Sequence, residues 1–200
     1  MKQSVDTHKN KGTLKLLAIG ISRIFDPIFL FPIAYFLIAR YFSIRSIDIA
    51  LLFAFQILPT VLFFLFHLKR GSIDFDITNR LNRIPLLAIA LISTITTLYL
   101  LVLLKYTTII YLHSILLFVV VLLFFITLYW KISIHMLVIT LFCTLLGLFY
   151  DSLWYSLSII FIPLVGWARI YLKKHTPLQV IAGSTLGGLS FLAIYIHYTA

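Results

Sequence analysis

The sequence predicts an all-α protein, a polytopic transmembrane helical bundle of six or seven spans, and three observations carry that prediction. Hydrophobic residues make up 62% of the 200-residue chain and charged residues only 11%. Soluble domains hold about 45–50% apolar and about 25% charged residues, so a bilayer must solvate most of this chain. Mean hydropathy is +1.09, and apolar runs near the ~20 residues that cross a bilayer follow one another closely. Finally, 16 Lys and Arg against 6 Asp and Glu give a net charge of +10, and most of the cations lie between the apolar runs. In a soluble protein that excess would suggest nucleic acid. Here anionic membrane lipid, a phosphorylated substrate and topology signals explain it, with no nucleic-acid partner.

The first element is a basic N-terminal segment with an interfacial helix over residues 12–25, ended where Asp26 and Pro27 interrupt the apolar run. No small-residue cleavage site follows that run, so it reads as retained rather than as a signal peptide. Residues 1–26 thus form a leading segment, and 27–200 one transmembrane domain. Its spans are expected at 27–42, 47–68, 85–104, 108–129, 134–150, 153–168 and 178–198. Cys143, the only cysteine, lies within an apolar run, which excludes an intrachain disulfide and a thiolate metal site.

Three polar islands interrupt the spans, at residues 69–83, 131–135 and 169–179. Two spans separate each island from the next, and an even number of crossings returns the chain to the same membrane face. All three islands therefore meet on one side. The mid-span segments carry almost no ionisable groups, which argues against a transporter or a non-catalytic lipid-binding protein, whose path would be lined at mid-membrane.

The third island contains Arg169, Lys173, Lys174, His175 and Gln179; the second contains Lys131, Ser133 and His135; the first offers Arg80 and Arg83. Two histidines, several guanidinium groups and a hydroxyl, without a cluster of carboxylates, suit a phosphoryl group. Arginine binds phosphate oxygens through a planar fork, and one imidazole can attack phosphorus while the other protonates the leaving oxygen. Structural readings stand beside these. Thr176-Pro177-Leu178-Gln179 is also a capping box. Gly183 and Gly187 continue the Gln179 face as a helix-packing seam. Arg169, Lys173 and Lys174 could be a basic helix end at the headgroups, and Asp74 and Asp76 are expected to pair with Arg80 or Arg83. His67, His113 and His197 read as structural or interfacial.

Arg169 and His175, with Ala168 before the arginine, resemble the third motif of the type 2 phosphatidic acid phosphatase superfamily, Ser-Arg-five-His-three-Asp. Ser133 and His135 fall on the Ser and His of its second motif, Pro-Ser-Gly-His. The resemblance covers about residues 69–190. It implies a metal-independent lipid-phosphate phosphatase with a helical core and no cofactor, acting on a phosphate monoester or diphosphate such as phosphatidate, phosphatidylglycerol phosphate or a polyprenyl phosphate. In that scheme His175 is the nucleophile that forms a phosphohistidine and His135 the acid on the leaving group, while Arg169, Ser133, Arg83, Arg80 and Lys131 bind phosphate. A lipid phosphotransferase using the same intermediate is the alternative within the resemblance.

The departures from the family pattern are specific. Gln179 stands where an Asp orients the nucleophilic histidine, and Ile132 and Ile134 replace Pro and Gly. In the first motif Asp76 stands seven residues before Arg83 in place of Lys, and Ile84 separates Arg83 from Pro85. Lys131 is placed to supply the missing cation. For orientation, the seven-span count puts the N-terminus on the island face, where Lys2, Lys9, Lys11, Lys15, Lys69, Arg70, Lys173 and Lys174 outnumber Arg40, Arg45 and Lys105 on the other. The positive-inside rule then predicts a multi-pass cell-membrane protein with its site at the cytoplasmic face.

Overall fold

Breaks between helices fall where the sequence supplies a cap or a residue that cannot continue the previous turn. The computed structural model describes residues 2–199, with side chains from residue 12 onward apart from Ile159. Helix α1 (Lys2–Ile24) gives way to α2 (Pro27–Tyr41) at Asp26, whose Oδ1 accepts from the Ile28 N–H at 3.0 Å, with Pro27 opening the new helix. Helices α3 (Ser46–Gln56) and α4 (Leu58–Lys69) form one bent pair, angled by 44° at Ile57. Pro59 lies in the first turn of α4 and has no N–H to continue the ladder of α3. A loop and a 3-10 turn (Arg80–Asn82) lead into α5 (Arg83–Leu103) and α6 (Thr107–Tyr129). Then follow α7 (Ile134–Phe149), α8 (Leu153–Tyr171) and α9 (Pro177–Thr199).

Helix α7 is the axis of the bundle. It packs against α9, α8 and α2, and eleven of its sixteen residues are buried. Gly183 and Gly187 let α9 approach it: a Cβ at Gly183 would collide with the Ser133 carbonyl, and one at Gly187 would sit 2.9 Å from the Leu137 carbonyl. The predicted glycine seam is therefore the contact that holds the second island against the third.

The elements differ from expectation in three ways. The first helix begins at Lys2 rather than at residue 12, there being no Pro or Gly before Gly12 to stop it. Gly12–Tyr41 together make one apolar stretch of 30 residues. Helix α7, expected as a span over 134–150, is about 24 Å long against the ~30 Å of a hydrocarbon core. Protein rather than lipid surrounds it, so its length need not match the bilayer. By length and composition five helices among the described residues can cross a membrane, six with the bent pair counted. Finally, mid-bundle polarity is greater than expected. Gln56 donates to Thr94 Oγ1 at 3.1 Å, and its Oε1 lies 3.1 Å from His113 Nε2 in the buried interior.

Candidate active site

The three islands converge as their even spacing predicts, and the end of α1 joins them. The junction of α7 with α9 positions the two histidine-bearing segments, because the Ser133 N–H donates to the Gln179 carbonyl at 3.1 Å. The turn after α8 folds back on itself, with the His175 N–H donating to the Arg169 carbonyl at 3.3 Å. Lys173 takes a positive φ of 54° in that turn. The histidine is thereby seated next to the buried end of α8.

The side chain of His175 is buried, and its Nδ1 lies 3.1 Å from Gln179 Oε1. The same oxygen accepts the Thr176 N–H at 3.2 Å, and the Thr176 hydroxyl accepts from the Gln179 N–H at 3.4 Å. Gln179 is thus both the capping box and the partner of His175. Its double role also fixes a tautomer: an oxygen already accepting a backbone N–H must accept from Nδ1 too, which leaves the Nε2 lone pair free. Burial, and then the positive charges of Arg169, Arg83 and Lys131, push the imidazole down to about 3, so it is neutral across the physiological range.

Arg169 is 1% exposed. Its Nη1 donates to Ser22 Oγ at 2.6 Å and to Asp76 Oδ1 at 2.8 Å. Asp76 Oδ2 receives Lys174 Nζ at 3.0 Å and lies 3.8 Å from Arg23 Nη2. Burial alone would raise the Asp76 carboxyl, but hydrogen bonds from Arg169 and Lys174 outweigh it and hold the group below the usual carboxylate range. The expected pairing of the two aspartates with Arg80 or Arg83 is corrected here. Asp74 accepts from the Thr78 N–H at 2.7 Å and faces Lys174 at 3.9 Å. Arginines that start a helix point back along the chain, and these two find carbonyls first.

Arg83 spends its fork on the backbone. Nε donates to the Ile77 carbonyl at 3.0 Å, Nη1 to Ile132 at 3.2 Å and Nη2 to Asp76 at 3.3 Å. Ile77 has φ 45°, costly for a β-branched residue, and the Arg83 clamp holds it there. Arg80 stands apart from the cluster, donating to the Leu128 carbonyl at 2.6 Å. Lys131 bridges the islands through Nζ, to the Thr78 carbonyl at 3.2 Å and the Lys174 carbonyl at 3.1 Å. Burial, then the neighbouring Arg83, Arg169 and Lys174, bring its ammonium down to about 8.

His135 opens the first turn of α7, and its Nε2 lies 3.2 Å from Asp26 Oδ2, off the line of a hydrogen bond. Six further buried polar atoms have no hydrogen-bond partner among the described residues: Ser133 Oγ, Arg169 Nε and Arg23 Nη1 in this cluster, and the hydroxyls of Tyr35, Thr60 and Thr140 elsewhere. Buried polar atoms are nearly always paired, and the guanidinium nitrogens and hydroxyl of this cluster are free to donate to acceptor oxygens. Sequence reasoning missed Ser22, Arg23 and Asp26. The only signal for Asp26 was its position as a cap before Pro27, which announces a helix start and says nothing of a histidine 109 residues later.

Residues 112–200 match the family model of the PAP2 superfamily. No curated protein matches the chain, and no solved structure does.

Proposed function

We propose, because residues 112–200 match the model of the PAP2 superfamily, a phosphatase-type family acting on phosphate esters, that the chain is a lipid-phosphate phosphatase of the cell membrane. The observation that carries the reading is that Ser133 Oγ and Arg169 Nε, two of the buried polar atoms without a hydrogen-bond partner among the described residues, lie in the motif segments that also hold a neutral His175 with its Nε2 lone pair free. Donors without acceptors beside an imidazole suited to attack describe the ground a phosphoryl group would occupy.

In this mechanism His175 Nε2 attacks phosphorus, and the P–O bond to the lipid alcohol breaks as His135 gives a proton to the leaving oxygen. Water then attacks the phosphohistidine and releases phosphate, with His135 accepting a proton. Arg169 and Ser133 bind the phosphoryl oxygens, and Lys131 adds positive charge. Gln179 orients the nucleophile, while Arg83 acts through the Asp76–Ile77 loop that it clamps. Asp74 and Asp76 are engaged by Lys174 and Arg169, so the reaction runs on side chains alone. The test is phosphate release from a panel of lipid phosphates in detergent, with and without chelator, for the wild type and His175→Ala. Chelator-resistant, vanadate-sensitive release that His175→Ala abolishes is expected. Release that stops with EDTA and returns with magnesium would overturn the metal-free scheme.

A further inference from the structure

A cavity of about 240 Å³ begins at the polar cluster and runs into the middle of the bundle between α2, α4, α5, α6 and α7. Its mouth is lined by Asp26, Asp76, Arg83 and His135. Below them the walls are aliphatic and aromatic, and the far end meets Gln56 and Thr94, hydrogen-bonded to each other and, through Gln56, to His113. Most of the wall comes from segments before residue 112, outside the part of the chain that matches the family model.

We propose that this cavity holds one hydrocarbon chain of the phosphorylated substrate inside the protein, and that the Gln56–Thr94–His113 layer sets how long that chain can be. The proposal rests on the phosphatase reading and adds the chemistry of the tail. In that reading His135 protonates the oxygen that leaves with the lipid, so the chain must start at His135. The cavity starts there too, while His175 and Arg169 lie outside its walls. Cations at the cluster suit the phosphate and the apolar walls suit the chain, so one amphiphile satisfies both. Arg83 and Thr94 mark the two ends on α5, about 16 Å apart at ~1.5 Å per residue. With C–C bonds of about 1.5 Å meeting at about 111°, an extended hydrocarbon advances about 1.25 Å per bond, so about thirteen bonds reach the polar layer. The layer stops a longer chain because inserting methylenes would break its buried hydrogen bonds.

The test uses alkyl phosphates that carry a photoreactive diazirine on the terminal carbon, one of about thirteen bonds and one of about six. They are irradiated with the full-length protein in detergent, in the His175→Ala background so that nothing is turned over. The longer probe should label Ala90, Thr94 and Leu116 at the deep end. Label confined to outward-facing Ile92, Tyr99, Phe118 and Phe125 would overturn the proposal. Adding Ala90→Phe should lower the ratio of long-probe to short-probe labelling by about tenfold or more, and an unchanged ratio would overturn it. Leu116→Phe, from the facing wall, applies the same criterion if Ala90→Phe does not fold. Deep labelling without phosphate release by the wild type from any lipid phosphate would support the chain site and remove the phosphatase reading. Release with label only on the outer surface would do the reverse.

Discussion

At His175 the imidazole is held by an amide where the family pattern has a carboxylate, and the consequence is a question of charge. The Gln179 amide favours the protonated ring only weakly, and burial, then the charges of Arg169, Arg83 and Lys131, outweigh it and bring the imidazole down to about 3. His175 should therefore stay nucleophilic as pH falls from 7 to 5, and the acid limb of kcat/KM should not come from this residue. Gln179→Glu places a negative charge on Nδ1 and raises the pKa, so the acid limb should move up into the measurable range. An unchanged profile would mean that the residue at 179 does not face the nucleophile during turnover. Gln179→Leu loses the cap, at about 1 kcal/mol, and the fixed tautomer as well, so it should lose activity beyond what its lower Tm explains. Asp26 offers a second separation, because it both caps α2 and faces His135. Asp26→Ser keeps a capping oxygen and removes the carboxylate. Tm should hold while lipid turnover falls toward the His135→Ala level, a loss of up to about 10²–10⁴-fold. Equal turnover in Asp26→Ser and wild type would show that His135 needs no carboxylate.

At the scale of elements, the seam between α7 and α9 sets the spacing of the two histidine segments. Gly183→Ala pushes a methyl group into the Ser133 carbonyl and should cost about 1–3 kcal/mol, with a loss of activity because Ser133 moves. Gly188 faces open space, so Gly188→Ala should be neutral or stabilise by up to about 1 kcal/mol. Thermal unfolding of the two variants in detergent checks both signs. The seam was legible because glycines at i+4 steps on an apolar helix have few other uses. The site was legible only in part. Arg169 and His175 lie on one turn, so their spacing survives as a local pattern, and Ser133 and His135 likewise. Asp26 and Ser22 reach the site through packing alone, and no local pattern records a contact made 147 residues away. Arg80 and Arg83 have the same composition and nearly the same position. Only the direction of each side chain sends one to the Leu128 carbonyl and the other to Asp76 and Ile77.

For the whole molecule, the chain's sidedness follows from the convergence of the islands, and the charge bias predicts that this side faces the cytoplasm. Ser72 beside the first island and Ser46 on the opposite turn are both exposed, so cysteines there report on the two faces. In intact cells a membrane-impermeant thiol reagent should label Ser46→Cys and spare Ser72→Cys. Labelling of Ser72→Cys alone would reverse the orientation.

The pairing of Arg169 with both Ser22 and Asp76 also imposes an order in time. These partners are 147 and 93 residues apart in the chain. At ~5–20 residues per second of synthesis, Ser22 waits about 7–30 s and Asp76 about 5–20 s before Arg169 exists. Until then the chain holds the cavity's lining residues, from Asp26 to Val138, and both sides of the Arg83 clamp, but not yet His175. In the proposed scheme the nascent protein therefore completes its tail pocket before its phosphate site, and turnover begins only once α8 and α9 are in place.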